Sequence, residues 1–188
     1  MKKIEVKTKR MTLRPMSENR VWYAPWKMTL KDSQKSVGDL CFKGPAKNHA
    51  VEIGYRVLSE HESKGYASEA LQAMTKWAFA QKDVIFVEAE TAQDDMASRH
   101  VLEKCGFVPD GTSGGEGPRF VLESPLTNWS PIYMLFGMSI GMSIGQMHGQ
   151  LLWGMALGIS LGVLVGVLLN NSAQKSREAL RQQRHPHA

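Results

Sequence analysis

The sequence predicts an α+β fold: a mixed, mostly antiparallel sheet flanked by helices, followed by a C-terminal pair of apolar helices. Three observations carry this expectation. Residues 50–58, AVEIGYRVL, alternate between apolar and polar, the period of a half-buried strand. Ala67, Ala70, Leu71, Met74, Trp77 and Ala78 recur at helical spacing and give one apolar face. From Ser124 to Ser172 there are 49 residues without one Asp, Glu, Lys or Arg, in a chain of 188 that is 22% charged. The first two describe a domain of ordinary globular composition, and the third an appendage with a different solvent preference.

The elements follow in order. Thr8–Arg14 alternates weakly and reads as a first strand. Val21–Leu30 and Ser36–Phe42 read as the next two, separated by the polar turn KDSQK. Lys43–Asn48 turns the chain into the strand Ala50–Leu58, with Val51, Ile53, Tyr55 and Val57 on one face. After the polar turn Ser59–Lys64, Gly65 opens the helix. VIFVEAET, residues 84–91, is a short run rich in β-formers. A second helix spans Asp95–Lys104, with Ala97, Val101 and Leu102 inward and Gly106 placed to end it. Phe107–Pro109 and Arg119–Leu122 form a last pair of strands across the glycine-rich loop DGTSGGEG. The strand–helix–strand unit at residues 50–91 implies a parallel pair joined by a right-handed crossover, so the sheet is mixed.

Charge and cysteine usage narrow the setting. The net charge of +5 is concentrated at the two ends. Residues 1–20 hold seven Lys or Arg against Glu5 and Glu18, and residues 173–188 hold Lys175, Arg177, Arg181 and Arg184 against Glu178. Basic ends suit nucleic acid or anionic lipid, and an apolar neighbour gives the lipid reading more weight at the second end. Cys41 and Cys105 have neither the number nor the spacing of a zinc site or disulfide framework, and read as reduced thiols. MKKIEVKTKR is basic with no apolar run behind it, so it is not read as a secretory signal. His49, His61 and His100 read as surface residues, and Trp22, Trp26 and Trp77 as core.

The chemical clue is SKGYASEAL. It puts the backbone N–H groups of Gly65, Tyr66, Ala67 and Ser68 at a helix N-terminus, where they lack intrahelical partners and attract phosphate. Gly65 and Ala67 leave room for a close ligand, and Lys64 adds positive charge. The pattern alone is equally that of a tight turn before a helix.

VEIGYRVLSEHESKGYASEALQAMTKWAF followed by DDMASRHVLEKCGF closely resembles the GNAT superfamily of acetyl-CoA-dependent N-acetyltransferases. The similarity is greatest to the branch that acetylates ribosomal-protein N-termini and related amines, and it covers roughly Thr8–Val121. The resemblance implies that acetyl-CoA lies between the splayed strands 50–58 and 84–91. Its pantetheine would run beside Arg56, Val57 and Leu58, and its pyrophosphate would sit on Lys64, Gly65, Tyr66, Ala67 and Ser68. Glu52 matches the glutamate that many members keep as base, Ser98 a serine that protonates the departing thiolate, and Asp95 a cofactor-contacting position that is commonly Asn. The chemistry needs a neutral amine, a base for its proton and a donor for the carbonyl oxygen. No metal is called for.

Four departures stand out. Glu62 occupies the place where the glycine loop usually begins with Arg or Gln, and Asp95 replaces Asn. No tyrosine lies in the late strands. Only six residues, Pro15–Arg20, replace the two helices that usually shape the acceptor pocket, so the acceptor site is open or completed by another chain or surface. An open site suits a protein N-terminus or another large amine.

The apolar segment contains WSPIYMLFGMSIGMSIG, residues 129–145, and LLWGMALGISLGVLVGVLL, residues 151–169, joined by QMHGQ. Gly137, Gly141, Gly145 and Gly149 recur every four residues, as do Gly154, Gly158, Gly162 and Gly166. Each glycine in a helix costs about 0.8–1 kcal/mol relative to Ala, so eight oppose a soluble helix pair by roughly 6–8 kcal/mol. Lipid enforces the helix regardless, and small residues then make a groove for a neighbouring helix. The expectation is an antiparallel transmembrane hairpin whose ladders face each other or neighbouring copies, with His148 in the polar turn.

The organisation expected is thus a GNAT-like domain over residues 1–126, a glycine-zipper membrane hairpin over 127–170 and a basic tail over 171–188. Domain and tail would both be cytoplasmic, as the distribution of basic residues favours. The expected partners are acetyl-CoA, an amine acceptor such as a protein N-terminus, and membrane lipid, with a homo-oligomer through the ladders as a further option. No nucleic acid is expected. Two other readings stand beside this one: a degenerate acetyl-CoA-binding module, and a membrane-assembly protein whose hairpin is the active part.

Overall fold

A computed structural model describes residues 4–184. Lys2, Lys3 and residues 185–188 of the basic ends lie outside the described residues. The chain divides into two compact units between Ser124 and Pro125.

The first unit is built on one eight-stranded sheet of order β1-β2-β3-β4-β5-β6-β8-β7. The strands are β1 (Val6–Lys7), β2 (Met11–Pro15), β3 (Trp26–Leu30), β4 (Ser36–Phe42), β5 (Ala50–Val57), β6 (Phe86–Glu90), β7 (Val108–Ser113) and β8 (Pro118–Glu123). Helix α1 (Tyr66–Phe79) follows β5, and α2 (Met96–Lys104) follows β6. All pairings are antiparallel except β5 with β6, the pair made by the α1 crossover.

One face of the sheet is covered. Val51 and Ile53 of β5, Leu40 and Phe42 of β4 and Val87 and Ala89 of β6 share a core with Leu71 and Met74 of α1 and Leu102 of α2. The expected tryptophan core is present. Trp26 is fully buried, with its ring centroid 4.9 Å from that of Trp77, and Trp22 packs 5.1 Å from Phe42.

Three strand expectations are corrected. Thr8–Arg14 is not one strand. The chain turns after β1, where the Thr8 amide donates to Met11 O at 3.0 Å, so weak alternation there concealed a hairpin. Val21–Leu30 is strand only from Trp26. Residues ahead of it turn, with the Tyr23 and Ala24 amides donating to Arg20 O, and Pro25 has no N–H to give a ladder. β7 and β8 extend further into the glycine-rich loop than expected, closing where the Gly114 amide donates to Gly117 O at 2.8 Å. The link between β2 and β3, residues 16–25, is longer than the six residues expected because β3 starts only at Trp26, and its regular structure is one 3₁₀ turn, Glu18–Arg20.

The second unit is a pair of antiparallel helices, α3 (Ser130–Met147) and α4 (Leu151–Arg184). Their glycines meet. A methyl group placed on Gly141 would collide with the backbone oxygen of Gly154 and lie 3.0 Å from Gly158 Cα, and one on Gly137 would collide with Gly158 O. The two ladders therefore face each other within the chain. Gly149 is the exception: it sits in the connecting turn at φ +68°, a left-handed conformation suited to glycine. The open end is tied by polar side chains. Asn170 Nδ2 donates to Asn128 Oδ1 at 2.9 Å and to Ser130 Oγ at 3.0 Å, while its Oδ1 accepts the Trp129 amide at 3.0 Å. The expected tail is not a separate element as far as Arg184. It continues α4, because Ala, Gln, Arg, Glu and Leu are all good helix formers.

Candidate active site

Strands β5 and β6 pair only over Ala50–Phe86, Val51–Val87 and Glu52–Glu88. Beyond Glu52 they diverge, so the β6-side edge of residues 53–57 has no strand partner. The fork leads to a cleft of about 630 Å³ between β5, the start of α1 and α2. Its floor is Tyr55, Arg56 and Val57, and one wall is the α1 N-terminus.

That N-terminus is bare. Gly65 precedes the first turn at φ +77°, and no side chain caps the helix. The N–H groups of the first turn are therefore free to take an acceptor at the positive end of the helix dipole. Gly65, Tyr66, Ala67 and Ser68 all line the cleft. Lys64 and Leu58, expected to bind with them, do not line it. Lys64 Nζ donates to Glu60 O at 2.7 Å, and the Leu58 amide donates to Val37 O at 2.9 Å.

Asp95 and Ser98 stand on the opposite wall. Asp95 caps α2, its Oδ1 accepting the Ser98 amide at 2.9 Å. The Ser98 hydroxyl, then its amide, hold the Asp95 carboxyl below its ordinary range. Removing this cap in Asp95→Ala costs about 1 kcal/mol of stability, read as a lowered denaturant midpoint of the full-length protein. An unchanged midpoint would show that Asp95 holds no part of α2.

Glu52 lies elsewhere. Side chains alternate across a strand, so Glu52 points away from the covered face that holds Val51 and Ile53. It stands at the fork on the other face, beside Glu88 in register on β6. Lys43 Nζ is 2.5 Å from Glu52 Oε1 and 3.3 Å from Glu116 Oε1. Glu52 Oε1 is shut off from solvent, with the Lys43 ammonium as its ion partner. Glu52 in turn raises the Lys43 ammonium pKa above its usual range. Arg119 pairs with Glu90 and lies 3.7 Å from Glu88. This face of the fork thus carries three carboxylates from β5 and β6 among two cations.

Tyr55, His61 and His100 are cleft residues that the sequence does not mark as such. Tyr55 lines the cleft and its hydroxyl donates to Ser98 O at 3.3 Å. Burial first of all pushes this phenol up to about 12. Its apolar-face position in β5 marked it only as core. Contrary to the expected surface position, the His61 side chain is only 14% exposed and lines the cleft beside Tyr66, with ring centroids 6.1 Å apart. His100 lines the cleft as well and is exposed. Their long-range packing has no local sequence signal.

Residues 3–108 match the family model described as an acetyltransferase (GNAT) domain. The chain belongs to the GNAT family. It is similar to the uncharacterised N-acetyltransferase YjdG of Bacillus subtilis, at 36% identity over 84 residues, 44% of this chain and 50% of that one. The chain spans about half the length of the curated relatives it matches. Among solved structures, a GNAT-family acetyltransferase from Bacillus anthracis aligns with a TM-score of 0.54 at 20% identity, over 64% of this chain and 98% of that one. RimL, a ribosomal α-N-protein acetyltransferase in complex with coenzyme A, aligns at 0.55 and 14% over 64% and 98%. These structural likenesses concern the fold alone.

Proposed function

We propose that the protein transfers an acetyl group from acetyl-CoA to a primary amine, such as a protein N-terminus, while tethered to a membrane. The observation that supports this most is the fork at Glu52. It joins the cleft headed by the bare α1 N-terminus to the opposite face of the sheet, where the carboxylates stand.

The residues fit the parts of acetyl-CoA. The α1 amides suit a pyrophosphate. The unpartnered edge of residues 53–57 offers backbone groups to pantetheine amides. Acetyl-CoA supplies an activated thioester. On the other face, Glu52 accepts the proton of the incoming ammonium, after which the nitrogen lone pair can attack. Lys43 shows where a cation is held at that carboxylate, so the acceptor amine replaces the Lys43 ammonium there. At the cleft, Ser98 gives its hydroxyl proton to the departing thiolate and takes up in its place the second proton shed by the amine nitrogen, so the hydroxyl is regenerated. The short β2–β3 connection leaves the acceptor side open, which suits a peptide terminus. RimL, a protein acetyltransferase by name, is a structural neighbour consistent with that acceptor class.

We assign residues 1–126 to transfer, 127–170 to the membrane hairpin and 171–188 to a basic extension, which as far as Arg184 is the end of α4. Support for the membrane comes from the inverted hairpin: glycines face inward while Leu135, Phe136, Leu152, Leu157 and Leu161 are exposed. By length and composition, among the described residues, one helix is apolar and long enough to span a bilayer: α4, over Leu151–Gln183. The eighteen residues of α3 include Pro131, Ser139, Ser143 and Gln146, which lower its apolar content. Its serine hydroxyls are satisfied within the helix, Ser139 Oγ donating to Leu135 O at 3.0 Å and Ser143 Oγ to Ser139 O at 3.0 Å. The two helices enter together, with domain and tail on the cytoplasmic side.

Full-length protein in lipid vesicles, given acetyl-CoA and a panel of peptides with free N-termini, should release free CoA thiol. Calorimetric binding of acetyl-CoA without transfer to any amine would favour a non-catalytic binding module instead. The Lys43–Glu52 pair and the cleft carboxylate Glu62 favour that second reading. Absence of acetyl-CoA binding would sink both.

A further inference from the structure

We propose that Arg10, in the turn between β1 and β2, is the positioning residue for the pyrophosphate-binding turn. This rests on the acetyl-CoA reading above. The turn has no arginine of its own: residues 61–68 read HESKGYAS, with Glu62 lining the cleft and the Lys64 ammonium turned to Glu60 O. Arg10 arrives from 54 positions earlier in the chain and holds the turn from behind.

Its contacts reach three residues of the turn and the start of α1, of which Tyr66 lines the cleft. Arg10 Nη1 donates to Lys64 O at 3.0 Å. Arg10 Nε donates to Glu69 Oε2 at 2.7 Å, and the Arg10 backbone amide donates to Glu69 Oε1 at 2.8 Å. The guanidinium carbon lies 4.5 Å from the centroid of the Tyr66 ring, a cation–π stack. Planar and five-donor, a guanidinium can make all these contacts at once, and an ammonium cannot.

The mechanical consequence follows from the peptide plane. Lys64 C=O and Gly65 N–H belong to one trans peptide unit and point in opposite directions. Fixing the carbonyl on the Arg10 side therefore fixes the direction of the Gly65 amide on the other. Gly65 sits at φ +77° with no side-chain cap, so nothing in the turn itself enforces that orientation. Arg10 also neutralises Glu69, whose carboxylate in the first turn of α1 would otherwise repel a pyrophosphate. Burial raises the Glu69 pKa, but hydrogen bonds from Thr8 and Arg10 outweigh it and keep the group ionised below its usual range. The turn carrying Arg10 is anchored in turn: Arg10 O accepts the Lys31 amide at 3.0 Å, and Lys31 Nζ donates to Thr8 O at 2.5 Å.

The test compares two probes on the full-length protein by calorimetry: CoA, which has the pyrophosphate, and pantetheine, which lacks it. Wild-type protein should bind CoA more tightly than pantetheine. Arg10→Ala should raise the Kd for CoA about tenfold, the worth of the one hydrogen bond to a charged phosphate that a misdirected Gly65 amide would lose, with the pantetheine Kd unchanged. Arg10→Lys keeps the charge and the fold-bearing stem but loses the fork, and should lose most of the same preference. It also stands in if Arg10→Ala fails to fold. Equal weakening of both probes would mean a general structural role and overturn the assignment, as would an unchanged CoA preference in Arg10→Lys. Wild-type protein that binds pantetheine as well as CoA would remove the pyrophosphate site and the assignment with it. Wild-type protein that binds neither would reject the acetyl-CoA reading itself.

Discussion

Glu52→Gln should lower kcat/KM for acetyl transfer by about 10²–10⁴-fold, the usual worth of a positioned general base. The amide keeps the shape of the side chain and cannot take the amine proton. Affinity for acetyl-CoA should stay at the wild-type value, because Glu52 does not line the cleft. The loss should shrink as pH rises toward the pKa of the acceptor amine, since free base then forms without help. A peptide acetylation assay across pH, paired with calorimetry, reads both effects. Wild-type turnover in Glu52→Gln would remove Glu52 from the reaction. A loss matched by weaker acetyl-CoA binding would mean that the substitution disturbs the fork and not the proton transfer.

Gly141→Leu should open the helical hairpin, and Gly158→Leu should do the same. A first side-chain carbon at Gly141 meets the backbone of Gly154, and one at Gly158 meets the backbone of Gly137. Overpacking a tight contact commonly costs about 1–3 kcal/mol, and here no flexible side chain stands in the way to yield. The helices must separate or shift register. Spin labels on the exposed Ser139 and Leu157, measured by distance spectroscopy in lipid, should report a longer separation in either variant. Phe136→Leu, on the outward face, should leave the distance as it was. If Gly141→Leu also leaves it unchanged, the ladders do not hold the hairpin together. Because each ladder is covered by the other, an oligomer built through them would require the helices to exchange partners between chains.

Sequence pattern carried a good part of this structure. Strands β4, β5 and β6 and helices α1 and α2 lie close to where alternation, helical spacing and glycine punctuation put them. The α1 N-terminus at Gly65 was legible because a glycine ahead of an apolar-periodic run is a local signal. Asp95 drew notice through the family resemblance, and the structure adds that it caps α2. The strand errors came from segments where local pattern was weak, at the β1–β2 turn and around Pro25.

The amino-acid sequence by itself determined the division at the charge-free segment, the period of the glycine ladders and the helix terminus that faces the cleft. These are set by composition and by spacings of a few residues, which the backbone geometry of one element converts directly into a face. Only the tertiary structure decided that Glu52 and Ser98 stand on different sides of the fork, that Lys43 occupies the carboxylate, that Tyr55 closes against Ser98, and that Arg10 reaches Lys64 and Glu69. Each of these joins residues on different elements, and their meeting depends on strand register and on where two strands cease to pair. Local periodicity says which face a side chain takes, while long-range register says what it finds there.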